Sequence, residues 1–185
     1  MSPLLIVVCV LIVLAGFLLG LYNAMVRARN LVDESWSGVD VQLKRRRDLI
    51  PNLVATVKAY AAHEAETLQI VTEARVVAET AAQASTIQAA NAENRVTQSL
   101  RGLFAVTENY PALKADQNFL QLQLQLVDIE NQVAGARAIF NGNARAYNDR
   151  IQSIPASFFA PSLGFKPRPY VEAAARERSS VGVGI

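Results

Sequence analysis

The stretch Trp36–Glu64, WSGVDVQLKRRRDLIPNLVATVKAYAAHE, decides the fold. Alternating steps of three and four residues from Trp36 land on Val39, Leu43, Arg46, Ile50, Leu53, Val57, Tyr60 and Glu64. They continue to Thr67, Val71, Ala74 and Ala78. Apart from Arg46, Glu64 and Thr67 this is an apolar seam at the heptad spacing of packed helices. Run backwards, the same steps give Val32, Arg29 and Met25. Pro51 removes the hydrogen bond to the Arg47 carbonyl and crowds it. A linker there would normally reset the phase, yet the seam passes unshifted. A kink at Pro51 in one helix over about 26–81 is the favoured reading. The rival is a new helix capped by Asp48, with Pro51 in its first turn.

The 185 residues are 51% hydrophobic but only 7% aromatic, a balance that suits helix-on-helix packing better than a β-sandwich. A second seam starts at Phe119 and runs through Leu122, Leu126, Ile129, Val133, Ala136, Phe140, Asn143, Tyr147, Arg150 and Ile154. Within it LQLQLQL (Leu120–Leu126) alternates like a strand, but a strand would leave the following turns of seam without a partner. The pattern predicts a helix over about 116–154 with Asp116 as its N-cap. Between the seams, an Ala/Gln/Ser/Thr-rich stretch followed by Val96, Leu100, Leu103 and Phe104 fits a helix over about 85–109, ended by Tyr110-Pro111. From Ile154 on, PASFFAPSLGFKPRPY sets prolines among aromatics and reads as a loop that wraps and packs. A short helix is expected over 171–178, and a mobile tail over 179–185. No repeat at solenoid periods is present. The fold class is all-α, in three segments: an anchor at 1–25, a helical bundle at 26–154 and a Pro/aromatic-rich segment at 155–185.

Leu4 to Leu21, LLIVVCVLIVLAGFLLGL, carries no charge. Leu4, Leu5, Ile6, Val7, Val8, Leu11, Ile12, Leu14, Phe17, Leu18, Leu19 and Leu21 form its apolar surface. Extended to Met25, it is long enough for a hydrocarbon core of about 30 Å at 1.5 Å per residue. A cleaved signal peptide is the alternative, but no Lys or Arg precedes the segment and no A-x-A pattern follows it. A lipoprotein reading of Cys9 fails because Ile6-Val7-Val8 offers no small residue. An uncleaved single-pass anchor is expected. Arg27 and Arg29 follow the span, so the positive-inside rule places the body in the cytoplasm, with the N-terminus outside.

The blocks WSGVDVQLKRRRDLIPNLVATVKAYAAHE, ENYPALKADQNFLQLQ, ENQVAGARAIFN and YNDRIQSIP occur in that order. They resemble the successive signature blocks of the LemA family, over roughly Tyr22–Tyr170. The resemblance implies a bacterial single-pass membrane protein with a four-helix-bundle body and a long first helix. It also implies no established enzymatic activity. One relative is associated with building internal membranes in magnetosome-forming bacteria, and others occur beside membrane metalloprotease genes. The chain departs from the pattern at Phe140, where tyrosine is usual, and at Arg47, where an aromatic is common.

The chemistry-bearing residues are few. One cysteine and one histidine, Cys9 and His63, exclude a disulfide framework and make a Cys/His zinc site very unfavourable. The basic run Lys44–Arg47 suggests lipid headgroups, but in straight helix it starts roughly 28 Å beyond Met25. The surface potential fades within about 8 Å. Arg46 lies on the seam, so pairing inside the bundle or between protomers is expected instead. Arg46, Glu64, Glu108, Glu130, Asn131, Arg137 and Asn141 are polar residues on or beside the seams. Glu130 and Arg137 are seven apart on one face, but di-iron bundles use Glu-x-x-His motifs, and His63 has no such spacing. Buried charges need partners, and Arg–Glu pairs that fix helix register are the simpler account. His63 is in the range for a pH switch, though an interfacial or exposed histidine is commoner. No nucleophile elbow or phosphate loop is present. The expectation is a non-enzymatic, cofactor-free, homo-oligomeric membrane scaffold. Its partner is the bilayer, and nucleic acid is not one, since the net charge is only +2. The alternative is an adaptor for a membrane protease or signalling complex.

Overall fold

A computed structural model describes residues 3–171. Six helices and no strand occur among the described residues: α1 (Pro3–Tyr60), α2 (Ala65–Ala81), α3 (Thr86–Thr107), α4 (Pro111–Lys114), α5 (Gln117–Gln152) and α6 (Ala156–Phe159). The chain is all-α. The helix and tail expected over 171–178 and 179–185 lie outside the described residues, save Val171.

Local chemistry sets the helix ends. Pro3 opens α1, where its missing N–H is no loss, and α1 continues through Pro51. Ser85 caps α3 with a full capping box: its hydroxyl accepts from the Gln88 backbone N–H, and the Gln88 side chain accepts from the Ser85 N–H. Asp116 caps α5, its carboxylate accepting from the Phe119 N–H at 2.9 Å.

The contacts divide the described chain into two compact units, residues 3–35 with 140–170, and residues 36–139 with 171. In the second unit α1, α2, α3, α4 and α5 share one core. It includes Ile50, Leu53 and Val57 from α1, Leu68 and Val71 from α2, Val96, Leu100 and Leu103 from α3, Leu113 from α4, and Phe119 and Leu126 from α5. Each such fully buried side chain contributes roughly 1.5–3 kcal/mol. In the first unit Met25, Ala28 and Val32 of α1 and Phe140, Ala144, Tyr147 and Ile151 of α5 are buried, together with Ala156, Ala160 and Phe165.

The helix expected over 26–81 is not continuous. It stops at Tyr60, and the chain turns over Ala61–Glu64 before α2 begins. Arg75 Nε reaches the Arg47 carbonyl at 3.1 Å, so α2 runs back along α1. The seam slips with the turn: Tyr60 is exposed, while Ala61 and Leu68 are buried in place of Glu64 and Thr67. Two antiparallel helices with the same period had imitated one long helix.

Candidate functional site

The second unit encloses a charged core. Arg46, fully buried, and Arg47 stand side by side on α1 and point inward, while Lys44 and Arg45 of the same basic run are exposed. Both inward guanidiniums converge on Glu93 of α3, which is 1% exposed. Arg46 Nη2 donates to Glu93 Oε2 and Arg47 Nη1 to Glu93 Oε1. Arg46 also donates to Glu130 Oε1 of α5 at 2.7 Å, to Thr97 Oγ1 at 2.8 Å and to the Glu93 carbonyl at 3.0 Å. Arg47 reaches Asp40 at 3.6 Å. Three helices are thus tied by one planar donor fork, a geometry that a lysine would not reproduce. Arg46 Nε is buried with no acceptor among the described residues, a penalty of roughly 1–3 kcal/mol that the other bonds offset.

Of the seam polars read from the sequence, Arg46 and Glu130 meet directly. Arg137 donates to Asn94 at 3.4 Å, two turns along α5 from Glu130. Glu64 accepts the Tyr110 hydroxyl at 2.8 Å. Glu108 is exposed at the C-cap of α3 and joins no ion pair among the described residues. Asn131 and His63 are exposed, the latter in the Ala61–Glu64 turn, and Asn141 is half-buried. Glu93 was missed. Heptad steps from Ala89 pass through Glu93, Val96, Leu100, Leu103 and Thr107, all buried, so the signal was present but submerged in an alanine-rich background.

Two tyrosine–carboxylate bonds hold the same unit near its turns. The Tyr110 phenol is raised above its ordinary pKa by its hydrogen bond to Glu64 and by burial. Tyr60 donates to Asp116 at 2.9 Å and is likewise raised. Asp116 is lowered by the Phe119 backbone N–H and then by Tyr60.

The first unit holds a collar. The segment after α5 returns across α1 and α5, and Phe165 packs edge-on to Tyr22 at 5.7 Å and under the Arg29 guanidinium at 5.5 Å. Asn148 grips the Arg168 peptide at both ends, donating to its carbonyl and accepting from its N–H, each at 2.8 Å. The Arg168 side chain pairs with Asp33 at 2.7 Å. Tyr147 donates to the Lys166 carbonyl, and desolvation raises its pKa against the pull of Arg168 and Arg29. Arg150 reaches the Ala24 carbonyl at 3.1 Å. Among the described residues one helix is long and apolar enough to cross a membrane: it is α1, and none of its apolar window is buried in the protein. Among the anchor residues Leu18 and Leu21 are half-buried, where the returning segment passes beside them.

The LemA family model matches residues 35–184, which contain the charged core and the returning segment. The magnetosome protein MamQ of Magnetospirillum gryphiswaldense is 26% identical over 173 residues, covering 80% of this chain and 64% of the relative. Magnetosome protein MamQ 2 of Paramagnetospirillum magneticum is 26% identical over 194 residues, covering 91% of this chain and 71% of that protein. The chain therefore spans about two-thirds of the length of these curated relatives. With most of its residues matched by the family model, the chain belongs to the LemA family.

Proposed function

We propose that this protein is a single-pass membrane scaffold that organises a membrane by binding and self-assembly, without turnover. The observation that carries the reading is the unburied apolar window of α1: an apolar helix with no protein cover is solvated by lipid. Tyr22 and Met25, which follow the window directly, are engaged by the rest of their unit. That favours an anchor retained in the working protein. The arginines after the span favour a cytoplasmic body. The magnetosome relatives favour a role in membrane organisation.

The seam of α1 offers self-assembly little support, because α2 folds back along it. Self-assembly draws support from α5, where Leu120, Leu124 and Val127 form an exposed stripe and Leu124 is 72% exposed. The adaptor reading is favoured by a groove between α2 and α3 lined by Ile70, Val77, Gln98 and Val106. Light scattering after gel filtration, on the full chain in mild detergent, separates the two. A large discrete particle that shrinks with Leu124→Lys supports assembly through α5. Monomers in both samples would overturn assembly and leave the adaptor.

A further inference from the structure

We propose that the turn over Ile154–Leu163 is a second membrane contact, an interfacial wedge that enters one leaflet of the bilayer crossed by α1. It goes beyond the scaffold reading but rests on its first element, that Leu4–Leu21 lies in a bilayer.

The placement follows from the span itself. Leu4–Leu21 covers roughly 26 Å at 1.5 Å per residue, close to the hydrocarbon thickness of about 30 Å. Leu18 and Leu21 therefore sit in the last turn of hydrocarbon on the body side. An apolar groove of about 310 Å³ is lined by these two leucines and Tyr22 on one wall, and by Phe159 and Leu163 on the other. Residues that share a groove share a depth, so Phe159 and Leu163 lie where the hydrocarbon ends. Phe158 beside them is 73% exposed, and Ile154 is also exposed. Ile154, Phe158, Phe159 and Leu163 thus put four bare apolar side chains on one short turn.

The polar neighbours stack in the order that a membrane surface requires. Tyr22, an interfacial residue type, stands at the rim. Arg27 and Arg29 follow on α1 about 9 and 12 Å beyond Leu21 at the same rise, the depth of headgroups. On the returning segment the exposed Lys166 follows Phe165. Apolar wedge below, cations above: the arrangement matches an anionic phospholipid leaflet. A second copy or another protein on this face would have to displace lipid from Leu18 and Leu21 as well.

The test uses the full chain in vesicles of phosphatidylcholine and phosphatidylglycerol. Trp36 is replaced by Phe, so that one introduced indole reports depth through quenching by brominated lipids. Phe158→Trp is the probe, and Leu11→Trp reads the middle of the span. The expected result is loss of Phe158→Trp emission with lipids brominated near the headgroup. Leu11→Trp is quenched best by bromines near the chain ends. If Leu11→Trp is quenched while Phe158→Trp is not, the wedge is overturned and the anchor stands. If neither is quenched, the anchor fails and the wedge fails with it. A Phe158→Trp indole that is shielded from bromine and becomes more shielded at higher protein-to-lipid ratio assigns the face to a second copy, which also overturns the wedge.

Discussion

Substitution of Glu93 by Gln keeps the shape of the side chain and removes the charge on which Arg46 and Arg47 converge. Removing one partner of a buried ion pair destabilises by about 3–5 kcal/mol, because the charges left behind stay desolvated. Here each arginine keeps a second carboxylate: Arg46 keeps Glu130, 39% exposed, and Arg47 keeps Asp40, 48% exposed and 3.6 Å away. The lower half of the range applies, about 3–4 kcal/mol. The assay is urea unfolding of the full chain in detergent, followed by Trp36 fluorescence. With a slope of about 2 kcal/mol per molar urea, the midpoint falls by roughly 1.5–2 M. The companion variant Arg46→Met/Arg47→Met/Glu93→Leu removes all three buried charges and releases Asp40 and Glu130 to solvent. It is expected to match or exceed the parent, since replacing a buried ion cluster with packed apolar groups is neutral or stabilising by about 1–4 kcal/mol. The reasoning is refuted if Glu93→Gln shifts stability by less than about 0.5 kcal/mol, the range of a surface substitution. It is also refuted if the triple variant loses as much as the single one.

Three further outcomes are expected. Ser85→Ala removes the hydroxyl of the α3 capping box and costs about 1 kcal/mol in the same urea assay, with Ser85→Asp close to the parent. Gly164, at φ +79° with open space around its Cα, meets no clash when a Cβ is added but does meet backbone strain. Gly164→Ala is expected to cost about 1–2 kcal/mol and Gly164→Asn less, read as faster amide exchange across the returning segment. The Asp116 carboxyl is held below its ordinary value of 3.8, so the stability it contributes is complete above that value and is lost as pH falls through its folded-state pKa. The urea midpoint of the parent should therefore drop more steeply below about pH 4 than that of Asp116→Asn; parallel profiles would remove Asp116 from the account.

Much of the fold was legible because a helix repeats its burial every three to four residues. Met25, Val32, Val39, Leu43, Ile50, Leu53 and Val57 can be counted off along the sequence, and all are buried. The Ala61–Glu64 reversal was not legible for the same reason. Its residues, AAHE, contain neither glycine nor proline, and an antiparallel helix resumes the same period. The one trace was the run Tyr60, Glu64 and Thr67, where polar side chains sat on the seam while Ala61 and Leu68 stood one position away. Half of the charged core was visible in Arg46 and Glu130, since a charge on an apolar seam needs an answer. Its centre was not, because around Glu93 the burial is carried by alanines, whose small side chains mark a buried face weakly. Glu108 shows the opposite error: close to a seam in sequence, it falls at a helix end and faces solvent.

The grip of Asn148 on Arg168 has an evolutionary consequence. The asparagine pairs with a peptide N–H and C=O, groups that every residue except proline supplies alike. Position 168 can therefore drift through almost any side chain without the fastening noticing, and the prolines at 167 and 169 keep the backbone extended while it does. Position 148 has no such freedom, because only a primary amide offers a donor and an acceptor side by side. Across descendants of this chain, residue 148 should stay fixed while residue 168 wanders, with Asp33 changing in step whenever the arginine is lost.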